Sequence, residues 1–150
     1  MFRASVRVGL KQIIALIVLI VGVNAVACTD NPTSPTVAVP FSQTDLVVGT
    51  GTTAAVGGLL TVDYTGWLFD PTKPEQKGLV FDTSLGKSPF SFTLGAAQVI
   101  KGWEVGTIGM QVGGLRRLVV PPSMGYGDQR AGAIPPNTTL VFEIKLLSIS

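Results

Sequence analysis

The stretch Val99-Ile100-Lys101-Gly102-Trp103-Glu104 decides how this chain folds. It places a tryptophan at the start of a short helical segment, and aromatic residues recur in the strand-like segments on either side. Tryptophan combines a large apolar surface with a rigid ring, so it can form the floor of an aromatic pocket that holds another apolar ring. We therefore expect a pocket between the helix and the strands, with Trp103 at its base.

The composition limits the fold and excludes several kinds of chemistry. The 150 residues include 18 Gly and 10 Pro, which indicates a turn-rich all-β or α+β domain rather than a helical bundle. Histidine is absent and Cys28 is the only cysteine, so a His-based triad, a zinc cluster and an intrachain disulfide are excluded. The net charge of +2 becomes −1 without the three basic residues that precede Cys28, so there is no basic face for nucleic acid.

Residues 1–27 are typical of a signal peptide. Arg3, Arg7 and Lys11 form a basic region, and an apolar run follows over residues 13–23. This run is short for a membrane span, which takes about 20 apolar residues. The beginning of the chain therefore predicts export.

The end of this segment leaves three outcomes open. In Ala25-Val26-Ala27-Cys28, the small residues allow an ordinary signal peptidase to cut after Ala27 and release a soluble exported protein. The same residues resemble the lipobox of bacterial lipoproteins, in which Cys28 would be lipidated and become the first residue. The third outcome is an uncleaved anchor. We favour lipidation because a lone thiol at this place has no intrachain partner.

The remaining sequence divides into a tether and one domain. Residues 28–40 are rich in Pro, Ser and Thr and lack an apolar period, which predicts a disordered tether. Residues 41–150 are predicted to form the domain. Alternating apolar and polar residues predict strands at 45–48, 60–68, 79–83, 89–94, 115–120 and 139–148.

One helix is predicted among these strands, at residues 98–108. Pro and Gly predict loops at 69–78 and 123–136, and Arg116-Arg117 is predicted to be an exposed strand pair. Long alternating strands with one helix predict an α+β fold, in which a curled antiparallel β-sheet wraps around one short α-helix.

Five blocks resemble, in order, an FKBP-type (macrolide-binding) peptidyl-prolyl cis/trans isomerase, over about residues 45–149. The blocks are Val62-Asp63-Tyr64-Thr65-Gly66, Phe81-Asp82-Thr83-Ser84, Pro89-Phe90-Ser91-Phe92, Val99-Ile100-Lys101-Gly102-Trp103 and Ile134-Pro135-Pro136-Asn137-Thr138-Thr139-Leu140-Val141-Phe142. The resemblance implies an FKBP-like fold, isomerase activity without a cofactor, and a bacterial exported, lipoprotein-like form.

This activity suits the composition. Rotation about a peptide bond faces a barrier of about 18–20 kcal/mol because amide resonance is lost. The enzyme has only to bind the twisted X–Pro amide better than the planar one, which requires an apolar pocket and hydrogen-bond donors but no nucleophile. A chain without histidine meets these needs.

The resemblance also assigns roles to individual residues. Trp103 is the pocket floor, Tyr126 donates from its hydroxyl to a substrate carbonyl, and Asp82 makes polar contact with the reacting amide; these are the expected catalytic residues. The Ile100 N–H is a second donor to a bound carbonyl. The residues expected to bind the substrate are Tyr64, Phe81, Phe90, Val99, Ile100, Ala133, Ile134 and Phe142.

Each role has a simpler alternative. Trp103 could be an ordinary core residue, Tyr126 could pack on the loop surface, and Asp82 could cap the turn at Thr83-Ser84. The arginine that often neutralises this aspartate in the family has no clear equivalent, and Lys87 is the nearest basic residue after Asp82. Ala133 stands where a larger aliphatic residue is common.

The implied partners are proline-containing segments of exported proteins, macrolide ligands, and a membrane reached through the lipid anchor. The alternative function is a binding module or chaperone that holds proline-containing segments in the same pocket without useful turnover.

We predict that Cys28→Ala moves the protein from the membrane fraction to the soluble exported fraction. A lipoprotein-type cysteine carries several acyl chains, and two or more chains hold a protein firmly on a membrane. Fractionation of cells that produce the wild type and the variant measures this shift. A variant that stays membrane-bound and uncleaved would show that residues 13–23 act as an anchor.

Overall fold

The computed structural model describes residues 38–150. The predicted signal peptide, Cys28 and residues 28–37 of the predicted tether lie outside the described residues, so those predictions stay untested. Within residues 38–150, no helix is long and apolar enough to cross a membrane.

Six antiparallel strands and one short helix form the domain, which confirms the predicted α+β fold. The strands are β1 (Ser42–Val47), β2 (Leu59–Phe69), β3 (Lys77–Thr83), β4 (Phe90–Thr93), β5 (Leu115–Val120) and β6 (Leu140–Ile149). The helix α1 (Lys101–Gly106) lies between β4 and β5, and two 3-10 turns occupy Pro74–Gln76 and Pro122–Met124. The order in the sheet is β1-β5-β6-β2-β3, and β4 also pairs with β2.

The strands begin and end within a few residues of their predicted positions, whereas the helix is shorter than predicted. It occupies six residues instead of 98–108. Ile100, directly before it, is extended at φ −60° and ψ 151°, and Ala97 has a positive φ of 54°. Residues 98–100 therefore lie outside the helix and lead into α1.

Two glycines let α1 lie directly on β5. A Cβ atom on Gly102 would lie 2.5 Å from Cγ1 of Val120, and one on Gly106 would lie 2.6 Å from Cδ1 of Leu118. Both distances are too short for any larger residue without displacement. The close approach presses Trp103, which is only 4% exposed, into the core against the inner face of the sheet.

The inner face of the sheet carries the main core. Side chains alternate between the two faces of a strand, and β2 and β6 direct their apolar residues toward α1. These core residues are Leu60, Val62, Leu140, Phe142, Ile144 and Leu146.

The long loop between β2 and β3 is attached to the outer face. Glu75 accepts from Arg117 of β5 at 2.9 Å and from Lys77 at 2.6 Å. Lys77 also lies 2.6 Å from Glu143 of β6 and 4.7 Å above the ring of Trp67. This loop therefore interacts with the face of the sheet opposite to α1.

The prediction that Arg116-Arg117 is an exposed pair is wrong, because Arg116 is 6% exposed and the side chain of Arg117 only 18%. The Nε and Nη2 of Arg116 donate to the two carboxylate oxygens of Asp45 at 2.6 and 3.1 Å. Its Nη1 donates to the carbonyls of Gly106 and Ile108 at 2.9 and 3.0 Å. The guanidinium is buried because these acceptors match its donors, and it joins β1, β5 and the end of α1. The hydrogen bond from Arg116 holds the pKa of Asp45 below its usual value.

We predict that Arg116→Met lowers the free energy of unfolding by about 2 kcal/mol, since the carbonyls of Gly106 and Ile108 lose their donor. Urea unfolding measures the loss. Lys145→Met on the neighbouring strand is the matched control, because Lys145 is exposed and such surface changes stay within about 0.5 kcal/mol. Equal stability of the two variants would contradict a structural role for Arg116.

Candidate functional site

A cavity of about 390 Å³ opens between α1 and the inner face of the sheet. It receives side chains from β2, β3, β4, β6 and α1, and from the segments that precede α1 and follow β5. The lining residues are Tyr64, Phe81, Asp82, Phe90, Ala97, Gln98, Val99, Ile100, Trp103, Tyr126 and Phe142. All of the predicted site residues except Ala133 and Ile134 are in this set.

Trp103 is surrounded by the edges of other aromatic rings. The ring centroids of Tyr64 and Phe142 lie 5.1 and 5.3 Å from it, at interplanar angles of 78° and 88°. Phe90 lies 6.1 Å away at 79°. These edge-to-face arrangements are favourable and geometrically specific. They fix the orientation of the indole at the base of the cavity.

Gly66 of β2 makes room for two of the aromatic walls. A Cβ atom at this position would lie 2.5 Å from Cζ of Phe81 and 2.9 Å from Cε1 of Phe142. The two rings pack against each other at 5.6 Å and 89°. The glycine two residues after Tyr64 is therefore required by ring packing at the cavity.

The polar side of the cavity is built around Asp82. The hydroxyl of Tyr64 donates to its Oδ2 at 2.5 Å, and the N–H of Thr83 donates to its Oδ1 at 2.8 Å. Nζ of Lys87 lies 3.7 Å from Oδ1. The bond to Thr83 shows the local contact expected of a turn residue, and the bond to Tyr64 joins the same carboxylate to the cavity.

These contacts shift the pKa values of both partners. The hydrogen bond from Tyr64 lowers the pKa of Asp82, and the Thr83 N–H and Lys87 act in the same direction. Burial, with the hydrogen bond to Asp82 and its charge, raises the pKa of Tyr64 to about 12. At neutral pH Asp82 is therefore ionised and Tyr64 keeps its proton, which is directed at Asp82.

The two donors that the resemblance assigns to substrate carbonyls have no acceptor among residues 38–150. The N–H of Ile100 donates to no backbone or side-chain group there, although the Ile100 carbonyl accepts from Trp103 at 2.9 Å. The hydroxyl of Tyr126, in the loop that follows β5, is likewise without a partner in this part of the chain. Both groups can therefore bind the carbonyls of a ligand.

Ala133 and Ile134 do not line the cavity. Ala133 is exposed in a tight turn in which Ala131 and Ile134 exchange two backbone hydrogen bonds of 3.1 and 2.9 Å. The side chain of Ile134 is buried in the hydrophobic core instead. Their contribution to substrate binding stays a prediction.

Ala97 and Gln98 line the cavity but were missed by the sequence analysis. The predicted helix included Gln98, whereas in the structure α1 begins at Lys101 and Gln98 lies in the segment before it. Gln98 uses its Oε1 to accept from the N–H of Thr93 at 2.8 Å. Their position directly before Val99-Ile100, which were predicted to line the pocket, was the one sequence feature that could have indicated this.

The chemistry available to the cavity is binding rather than bond cleavage. Asp82 is the single carboxylate among the lining residues, and they include no serine, threonine or cysteine that could act as a nucleophile. Residues 38–150 contain no cluster of three or more potential ligands that could hold a metal ion. The cavity can hold an apolar ring on Trp103 and bind adjacent carbonyls through Ile100 and Tyr126.

Comparisons with known proteins agree on one family. The model of the "FKBP-type peptidyl-prolyl cis-trans isomerase" family matches residues 51–147. An "FK506-binding protein" of Neisseria meningitidis serogroup A is 49% identical over 107 residues, which are 70% of this chain and 92% of that protein. "FK506-binding protein 4" of Neurospora crassa is 47% identical over 105 residues, but the match spans only 21% of that longer protein.

Solved structures give the same result. The crystal structure of FkpA from Escherichia coli has a TM-score of 0.63 and 35% identity, over 73% of this chain and 48% of that one. The structure of AtFKBP13 has a TM-score of 0.62 and 36% identity, over 73% of this chain and 93% of that one.

We predict that Tyr64→Phe raises the pKa of Asp82 toward its ordinary value, because the largest cause of the lowered pKa is the Tyr64 hydroxyl. A lowered pKa contributes stability above the unfolded-state value, and this contribution is lost as the pH falls through the folded-state value. The variant should therefore lose less stability on acidification than the wild type. Carboxyl ¹³C NMR titration measures the pKa, and an unchanged value would contradict the hydrogen bond.

Proposed function

Because the chain belongs to the family of FKBP-type peptidyl-prolyl cis-trans isomerases, we propose that it catalyses the cis/trans isomerisation of X–Pro bonds in exported proteins. One observation carries the proposal. The cavity combines an aromatic floor at Trp103 with the hydrogen-bond donors of Ile100 and Tyr126, which have no acceptor among residues 38–150, and its lining contains no serine, threonine or cysteine.

The cavity stabilises the twisted amide in two ways. The proline ring rests on Trp103, and the surrounding aromatic walls exclude water. A dry, apolar surrounding disfavours the charge-separated planar amide relative to the twisted one, which lowers the barrier to rotation. The Ile100 N–H and the Tyr126 hydroxyl bind the carbonyls of the rotating segment, and donors placed in advance cost no reorganisation during the reaction.

Asp82 and Tyr64 act as a pair. The proton of the Tyr64 hydroxyl is directed at Asp82, so Tyr64 serves as an apolar wall and not as a donor to the substrate. The ionised Asp82 places a negative charge at the mouth of the cavity, next to the reacting amide. Polar contact with the amide is therefore the role that we propose for Asp82.

Export gives this activity a purpose. Uncatalysed X–Pro isomerisation takes tens to hundreds of seconds, so newly exported chains fold slowly when they contain proline. The basic and apolar N-terminal pattern, followed by Cys28, supports an exported protein with a lipid anchor. Its substrates would then be proline-containing segments outside the cytoplasm.

Macrolides are proposed as competing ligands. Several relatives are named for binding FK506, and the cavity offers the apolar surface that such a ligand needs. Ala133 lies in an exposed turn and is smaller than the aliphatic residue that is common at this position. We therefore propose that macrolides bind less tightly here than to relatives with the larger residue.

A protease-coupled assay on X–Pro peptides tests the function with residues 41–150. We expect faster turnover when Leu or Phe precedes proline than when Glu does, since burying an apolar side chain is worth roughly 1.5–3 kcal/mol. Asp82→Ala should lower turnover more than it lowers the melting temperature, because it leaves the aromatic walls in place.

Three outcomes would contradict parts of the proposed function. Equal turnover of the Glu and Leu peptides would contradict the apolar pocket. Peptide binding without turnover would establish a binding module instead of an enzyme. An Asp82→Ala variant with full activity and a lower melting temperature would limit Asp82 to its bond with Thr83, whose loss costs about 1 kcal/mol.

A further inference from the structure

One wall of the cavity has little hydrogen-bond support of its own. Residues 95–100, which we call the wall segment, connect the end of β4 with α1 and supply the lining residues Ala97, Gln98, Val99 and Ile100. Within residues 38–150, the four N–H groups of residues 97–100 donate to no acceptor. Gly95 and Ala97 also have positive φ angles of 88° and 54°. Hydrogen bonds from side chains must therefore hold the shape of the segment.

Glu104 contacts both ends of the wall segment. At one end, its carboxylate Oε2 accepts from the N–H of Gly95 at 2.6 Å. At the other end, its own backbone N–H donates to the carbonyl of Ile100 at 3.2 Å, as the first turn of α1 begins. Glu104 therefore contacts both ends of the segment, and at the Ile100 end it shares the carbonyl with the N–H of Trp103.

The same carboxylate is partly unsatisfied. Its Oε1 is buried and has no hydrogen-bond partner in the described part of the chain. Glu104 also follows Trp103 directly, so one turn of α1 carries the cavity floor and the group that holds the wall.

We propose that Glu104 is a positioning residue for the isomerase reaction: its carboxylate holds the wall segment so that the free N–H of Ile100 faces the substrate carbonyl above Trp103. This inference rests on the proposed function. A hydrogen bond between a charged acceptor and a backbone N–H is short and strong, which suits it to holding a segment that has no ladder of its own. Gln98, through its 2.8 Å bond with Thr93, supports the same segment from within.

The test compares substitutions at Glu104 in the purified full chain. Glu104→Met keeps an unbranched side chain of similar length but removes the acceptor, and we expect kcat/KM for an X–Pro peptide to fall about tenfold, the loss that corresponds to one charge-assisted hydrogen bond. Glu104→Gln keeps an oxygen that can accept from Gly95, and it should retain activity within about twofold, the loss expected when the acceptor persists. This rescue separates positioning from a general effect of the substitution.

Asp70→Ala is the matched control. Asp70 accepts from the N–H of Thr72 at 2.9 Å in the loop between β2 and β3, and it does not line the cavity. The variant loses a comparable carboxylate–amide bond, so its melting temperature should fall while its kcat/KM stays at the wild-type value. A loss of activity in Glu104→Met that is no greater than in Asp70→Ala would overturn the proposal, as would a failure of Glu104→Gln to restore activity.

A second measurement does not depend on activity. NMR should show faster hydrogen exchange at the Gly95 amide in Glu104→Met and lower order parameters at residues 97–100, below about 0.6 where rigid backbone gives about 0.85. If the wild type proves inactive, the proposed function fails, and these NMR values still decide whether Glu104 holds the wall. Unchanged exchange and order parameters would refute that role.

Discussion

The functional site depends on how closely α1 approaches β5. Gly102 and Gly106 stand four residues apart on one face of the helix, where a Cβ atom would meet Val120 or Leu118 at 2.6 Å or less. Their absence of side chains lets six helical residues bury an indole against a sheet. With bulkier residues the helix would move outward, and Trp103 would lose its edge-to-face contacts with Tyr64 and Phe142.

The parts of the fold that follow from local pattern could be predicted from the sequence. The alternation of apolar and polar residues predicted the strand positions to within a few residues, because the side chains of a strand with one buried face point to that face at every second residue. The family resemblance placed the aromatic walls, and the structure brings them together around Trp103. The start of the helix was harder to predict, since Ile100 has an extended backbone and Ala97 a positive φ although helical residues follow directly.

The burial of Arg116 could not be predicted, because its partners are distant in the sequence. Arg116 has the sequence context of an exposed strand residue, yet it is buried because Asp45, 71 positions away, and two carbonyls at the end of α1 supply its acceptors. Gln98 and Glu104 likewise have polar side chains that serve backbone N–H groups. No local pattern indicates where such side chains point.

The position of β6 has a consequence for how the chain acquires its fold. The last strand in the sequence lies in the middle of the sheet, between β5 and β2. Until it is present, β1 with β5 and β2 with β3 and β4 are two separate pieces, and the pairing of Leu60 with Ile149 joins residues from opposite ends of the domain. Such long-range pairing makes folding slow. A chain that emerges in N-to-C order therefore has no complete sheet until β6 is released. If the protein is exported as we propose, the sheet cannot be completed before β6 is available. This delay favours passage of the chain across the membrane in an unfolded state.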